Sequence, residues 1–138
     1  MRHVFVYGTL RAGEINDIGR AAARHGIAAP VLLGSVALAG ELYDFGICPG
    51  MIAGAGGGRV WGDLYAIDDR LVPVLDEIER VYPGVDTLYQ PVEMEVELNG
   101  LRYACFYYPI APHAVAGLPR IESGDWVRYR RDRDRLSA

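Results

Sequence analysis

Two short stretches hold residue types that could do chemistry together. In Val4-Phe5-Val6-Tyr7-Gly8-Thr9-Leu10-Arg11-Ala12-Gly13 an apolar, strand-like run stops at Gly8 and passes through the hydroxyl of Thr9 to a second glycine. A glycine directly after a strand lets backbone approach a ligand closely, and successive N–H groups at such a turn can bind a carboxylate or an oxyanion. The same residues also describe an ordinary strand-ending turn. The second stretch, Leu71 to Val81, carries three acids, Asp76, Glu77 and Glu79. At about 100° per residue its apolar stripe centres near Leu71, Leu75 and Ile78, which puts Glu79 on the flank and Asp76 and Glu77 farther away. A carboxylate at an apolar boundary has its charged form disfavoured, which suits a general base and acid. The plainer alternative is a surface acid near a helix end, partnered by Arg80 or Arg11.

No competing site assembles from the other reactive types. His3, His25 and His113 lack metal-ligand spacing, and Cys48 and Cys105 stand far apart with no second-ligand pattern, so a disulfide scaffold or zinc site is not indicated and both cysteines read as buried thiols. Ser35 and Ser123 lack the Gly-x-Ser-x-Gly elbow, and covalent catalysis has little support. Gly54 to Gly58 is not followed by Lys-Ser or Lys-Thr and runs into a strand-like segment, so it reads as a turn and not a phosphate loop. The pairs Tyr107-Tyr108 and Trp126-Tyr129 read as core or pocket wall.

The elements that position these residues are mostly strands. Val4 to Tyr7, Val31 to Leu38, Val60 to Ile67, Pro91 to Leu98 and Arg102 to Tyr108 are rich in branched and aromatic residues, and Asn99-Gly100 joins the last two as a hairpin. Helices are expected at Asp17 to His25, with Gly26 just beyond as C-cap, and after Asp68 and Asp69, natural N-caps that leave Pro73 in the tolerant first turn. Strands in mixed order with two helices and no regular βαβ alternation predict an α+β fold whose sheet curls toward a small barrel.

With 138 residues, 51% of them hydrophobic, the chain suits one domain with a real core. Its net charge of −4 argues against a nucleic-acid footprint and favours a small neutral or cationic partner. The run Arg128 to Arg135 could stack on RNA bases, but its interspersed aspartates favour a solvated, self-paired C-terminal tail over residues 128–138. No apolar run approaches the roughly 20 residues of a membrane span, and no secretory leader is evident, so cytoplasmic residence is the expectation.

In order and spacing, Val6-Tyr7-Gly8-Thr9-Leu10, Gly40-Glu41-Leu42-Tyr43-Asp44 with Pro49-Gly50, Val60-Trp61-Gly62-Asp63-Leu64-Tyr65, and Leu75-Asp76-Glu77-Ile78-Glu79 followed by Tyr89 carry a family pattern. Weaker echoes follow at Ala104 to Tyr107 and Ser123 to Trp126. The sequence resembles the γ-glutamyl cyclotransferase-like proteins, including AIG2-like members and γ-glutamylamine cyclotransferase. One departure is Arg80, where many relatives have glycine after the acid. The resemblance implies a compact mixed α/β barrel, a γ-glutamyl group bound by Tyr7, Gly8, Thr9 and Leu10, with Tyr107 in the pocket, and Glu79 as catalytic base. It further implies release of 5-oxoproline from a small γ-glutamyl amide without metal or organic cofactor. The alternative is a non-catalytic module that keeps the pocket to bind a small molecule or a protein.

Overall fold

The computed structural model describes residues 1–54, 57–81 and 91–137. Along these the elements are β1 (Arg2–Val6), α1 (Ile18–Arg24), β2 (Val31–Asp44), β3 (Pro49–Ala53), β4 (Arg59–Ile67), α2 (Val72–Val81), β5 (Val92–Leu98), β6 (Leu101–Tyr107) and α3 (Trp126–Ser137). Among the described residues six strands form one curled, half-barrel sheet in the order β3-β2-β4-β1-β6-β5. It is mixed: β1 runs parallel to β6, and the other pairings are antiparallel. This is the α+β class the sequence predicts.

Local chemistry sets the element ends. The Asp17 carboxylate accepts from the N–H groups of Gly19 and Arg20 at 2.8 and 3.2 Å and caps α1. Asp68 accepts from Arg70 N at 2.9 Å, and a 3₁₀ turn over Asp69–Leu71 leads into α2, with Pro73 in its first turn. Asn99 and Gly100 both take positive φ, 53° and 79°, and close the β5–β6 hairpin with Leu98 opposite Leu101. Such a turn matches the twist of the strands it joins.

Strand alternation divides the interior in two. Val4 and Val6 of β1 and Phe106 of β6 face one way, where Ile18 of α1 and Leu71 and Leu75 before and on α2 cover them. Phe5, Tyr7 and Tyr107 face the other way, with Leu42, Met51, Leu64, Ile121 and Trp126. Each buried side chain of this size contributes about 1.5–3 kcal/mol, so both faces are well sealed.

Two elements depart from expectation. The strand Pro49–Ala53 pairs with Gly40–Asp44, although its Pro-Gly start carries no strand signal. The charged run from Arg128 belongs to α3, not to a free tail. It keeps the expected self-pairing, Arg130 with Asp134 and Arg135 with Asp132, but it is also docked. Trp126 is fully buried, Arg130 grips the buried Glu14 through Nε and one Nη at 2.7 and 2.8 Å, and Arg133 holds Asp44 at 3.2 Å. Long arginine stems cover apolar surface while their heads stay polar, so a polar sequence can still pack.

Candidate active site

The Gly8 turn is built by its carbonyls. Arg11 N–H donates to the Gly8 carbonyl at 3.1 Å, Asn16 N–H to Thr9 O at 2.9 Å, and Ile18 N–H to Leu10 O at 2.9 Å. The Thr9 hydroxyl accepts from Asn16 Nδ2 at 3.0 Å. With these carbonyls engaged behind the turn, the backbone N–H groups of Gly8, Thr9 and Leu10 find no acceptor among the described residues. Buried N–H groups without partners favour an incoming oxygen ligand.

The turn is fixed from outside as well. Arg11 reaches Asp63 on β4 at 3.0 Å and Asp125, just before α3, at 3.1 Å, and Ser35 Oγ donates to the same Asp63 at 2.7 Å. Arg11 thus serves the turn from behind and does not reach Glu79. Gly8 itself lies against the Pro49 ring, where a Cβ would meet Cγ at 2.7 Å and Cδ at 2.9 Å.

A narrow pocket opens beside the turn, lined by Phe5 to Leu10, Cys48, Pro49, Glu79 and Tyr108. Tyr7 braces it: the phenol donates to the Tyr108 carbonyl at 2.7 Å and accepts from Met51 N at 3.2 Å. Of the residues expected at a site, the structure therefore gathers Tyr7, Gly8, Thr9, Leu10 and Glu79. It does not bring Tyr107 there. Tyr107 packs edge-on against Phe5 in the other half of the core, ring centroids 6.5 Å apart, and its neighbour Tyr108 lines the pocket. A strand's period of two sends adjacent tyrosines to opposite faces, and sequence alone does not fix which.

Glu79 is half-buried, and no hydrogen bond or ion pair reaches it among the described residues. Arg80 points outward to the exposed Glu77 at 2.9 Å, so the surface-pair alternative does not apply. Burial, aided by the negative charge of Asp76, pushes the Glu79 carboxyl up to about 8. The Cys48 thiol beside it is pushed up to about 12 by burial and by Glu79, which makes it a poor nucleophile. Asp76 is the residue that sequence reasoning missed. Expected to point away, it accepts from the Tyr108 hydroxyl at 2.5 Å. Burial and this bond raise the Tyr108 phenol far above its ordinary value. The expected contribution of Tyr89 to the pattern lies outside the described residues. Both cysteines are buried and free, and no grouping of three or more His, Cys, Asp or Glu suited to a metal occurs among the described residues.

Fold and site together define a small α+β protein in which the turn after β1 shares a pocket with an acid whose carboxyl is pushed up to about 8. The chain belongs to the family described as Gamma-glutamyl cyclotransferase, AIG2-like, which it matches over residues 4–128. It is 32% identical over 133 residues to the gamma-glutamylcyclotransferase family protein YtfP of Escherichia coli strain K12, covering 96% of this chain and 98% of that one. Against the gamma-glutamylaminecyclotransferase of Bos taurus it is 31% identical over 137 residues, covering 88% and 74% respectively. The crystal structure of an AIG2-like protein from Mus musculus superposes with a TM-score of 0.69 at 27% identity, over 91% of this chain and 88% of that one.

Proposed function

We propose that this protein is a γ-glutamyl cyclotransferase that releases 5-oxoproline from a small γ-glutamyl amide. The observation that carries this reading is one pocket lined by both the turn Gly8 to Leu10 and the acid Glu79, whose N–H groups and carboxyl find no hydrogen-bond partner among the described residues.

The chemistry follows from these two ends. Glu79, once ionised, takes a proton from the substrate's α-ammonium, and the freed amine attacks its own γ-carbonyl carbon. A new C–N bond closes the five-membered ring, and the carbonyl electron pair moves to oxygen, where N–H donors of the turn stabilise the oxyanion. As that oxyanion collapses, the original amide C–N bond breaks, and Glu79 hands its proton to the departing amine. The attack is intramolecular, so holding the substrate chain folded supplies much of the rate. The ring nitrogen carries one proton too many after the attack and releases it to solvent, which leaves the neutral ring of 5-oxoproline and the free amine, and no cofactor enters the balance. Tyr7 and Pro49 shape the wall, Thr9 and Leu10 present the turn, and Tyr108 closes the side next to Glu79.

The test is a mass-spectrometric screen of purified protein against a panel of γ-glutamyl amides, with Glu79→Gln beside it. The expected product is 5-oxoproline with the free amine, and the variant should lose about 10²–10⁴-fold in kcat. Glutamate in place of 5-oxoproline would make the protein an amide hydrolase, and binding without release across the panel would make it a binding module. Full 5-oxoproline release by Glu79→Gln would remove Glu79 from the mechanism.

A further inference from the structure

Two carboxylates, Asp76 and Glu79, stand one helical turn apart on α2, a spacing that places their side chains side by side. Both lie against the end of β6: Asp76 accepts the Tyr108 hydroxyl at 2.5 Å, and Tyr108 lines the pocket with Glu79. No cation sits between them among the described residues. Arg11 is committed to Asp63 and Asp125, Arg80 to Glu77, and Arg2 lies over the Phe106 ring at 4.9 Å and pairs with Glu93 at 3.8 Å. The other described polar side chains that line the pocket with Glu79 are those of Cys48, Tyr108, Tyr7 and Thr9, and burial raises both the Cys48 thiol and the Tyr108 phenol, which keeps these two neutral at physiological pH.

We propose that Asp76, anchored by the Tyr108 hydroxyl, is a positioning residue that keeps a proton on Glu79 before substrate binds, so that Glu79 releases this proton to solvent when a substrate α-ammonium arrives. This rests on the cyclotransferase reading of the pocket. An asparagine carbonyl would accept the same phenol, so the hydrogen bond alone does not require an acid at this position. What the carboxylate adds is a fixed negative charge beside Glu79, and like charges in a shared site disfavour ionisation of the second. The Tyr108 bond matters because it prevents the Asp76 side chain from rotating its charge into water. An entering ammonium supplies the missing counter-charge, which makes binding and activation of the base one event. The solvated Glu77 on the same helix makes no such contribution, because water and Arg80 screen it.

The test reads Glu79 directly. Carbon-13 carboxyl NMR of the substrate-free protein, with the Glu79 resonance assigned by its loss in Glu79→Gln, gives its titration midpoint in the native chain and in Asp76→Asn and Glu77→Gln. Asp76→Asn should lower the midpoint by about one pH unit or more, while Glu77→Gln leaves it in place. Should Asp76→Asn fail to fold, Tyr108→Phe replaces it and should move the midpoint in the same direction. An unchanged midpoint in the folded variant overturns the proposal, and so does an equal shift in Glu77→Gln. Because no substrate is present, this outcome is independent of turnover. A shifted midpoint in a protein that never yields 5-oxoproline would overturn the cyclotransferase reading and leave the coupling of Asp76 to Glu79 standing. In an active protein, the acid limb of kcat/KM should move to lower pH in Asp76→Asn by the same amount as the midpoint.

Discussion

Glu79 ties the proposed reaction to stability through one proton. Its carboxyl sits near 8 in the folded chain against an ordinary value of 4.5, so the folded state binds this proton more tightly than the unfolded one. The contribution to stability is therefore fully present below about pH 4.5 and is lost as pH rises through about 8. Glu79→Gln carries no charge at any pH, so its melting temperature should match that of the native protein near pH 4.5 and exceed it by several degrees at pH 9. Calorimetric scans across that range check the sign, and a native chain that stays equally stable relative to the variant would contradict it. On the proposed mechanism activity should run oppositely: kcat/KM should rise with pH toward about 8, because Glu79 would have to lose this proton to act as base. Much of this was legible in the sequence. Helical spacing singles out Glu79 as the most inward acid, and in the structure Glu79 lines the pocket. The same spacing turns Asp76 outward, and it errs because an angular estimate knows nothing of Tyr108, a residue from a distant strand that reaches over to meet it.

The turn after β1 depends on a strand that carries no signal of its own. Pro49 begins β3 and packs its ring against Gly8, so the two segments touch where a side chain on Gly8 would stand. Gly8→Ala should push the turn off Pro49 and spoil the alignment of its N–H groups. A displacement of about 1 Å costs on the order of 10²-fold in kcat/KM, whereas overpacking of this kind costs only about 1–3 kcal/mol in stability. Steady-state kinetics beside a thermal melt separate the two, and a variant with full activity would show that the contact is slack. The reason β3 escapes sequence reading is physical. Pro-Gly is a turn signal, and only pairing with Gly40–Asp44 makes a strand of it. The β5–β6 hairpin, by contrast, is dictated by two adjacent residues, Asn99 and Gly100, and was fully readable. The Tyr107 and Tyr108 faces were not, because both residues are apolar enough to be buried and the register is set by the parallel contact of β6 with β1.

The C-terminal helix ties the molecule together. Arg130 reaches the loop after β1 through Glu14, Arg133 reaches the end of β2 through Asp44, and Trp126 fills the core between them. Trp126→Ala should cost about 3–5 kcal/mol from lost burial and the cavity together. Trp126→Phe should cost far less, because the indole N–H has no hydrogen-bond partner among the described residues to lose. Urea denaturation of both variants checks this order, and equal losses would point to a polar role for the indole. Composition hid α3 because its arginines and aspartates look solvated when counted, whereas Arg130 and Arg133 pair with the buried Glu14 and Asp44. The pocket's own brace spans still farther. The Tyr7 phenol donates to the Tyr108 carbonyl across 101 residues of chain, and Val4 pairs with Phe106. A ribosome delivers Tyr7 early and Tyr108 late, and joining such distant segments is slow. The first strand therefore waits, half-flanked, until most of the polypeptide has emerged. A product cut short of Tyr108 holds the conspicuous N-terminal motif without the wall and the brace that Tyr108 gives the pocket.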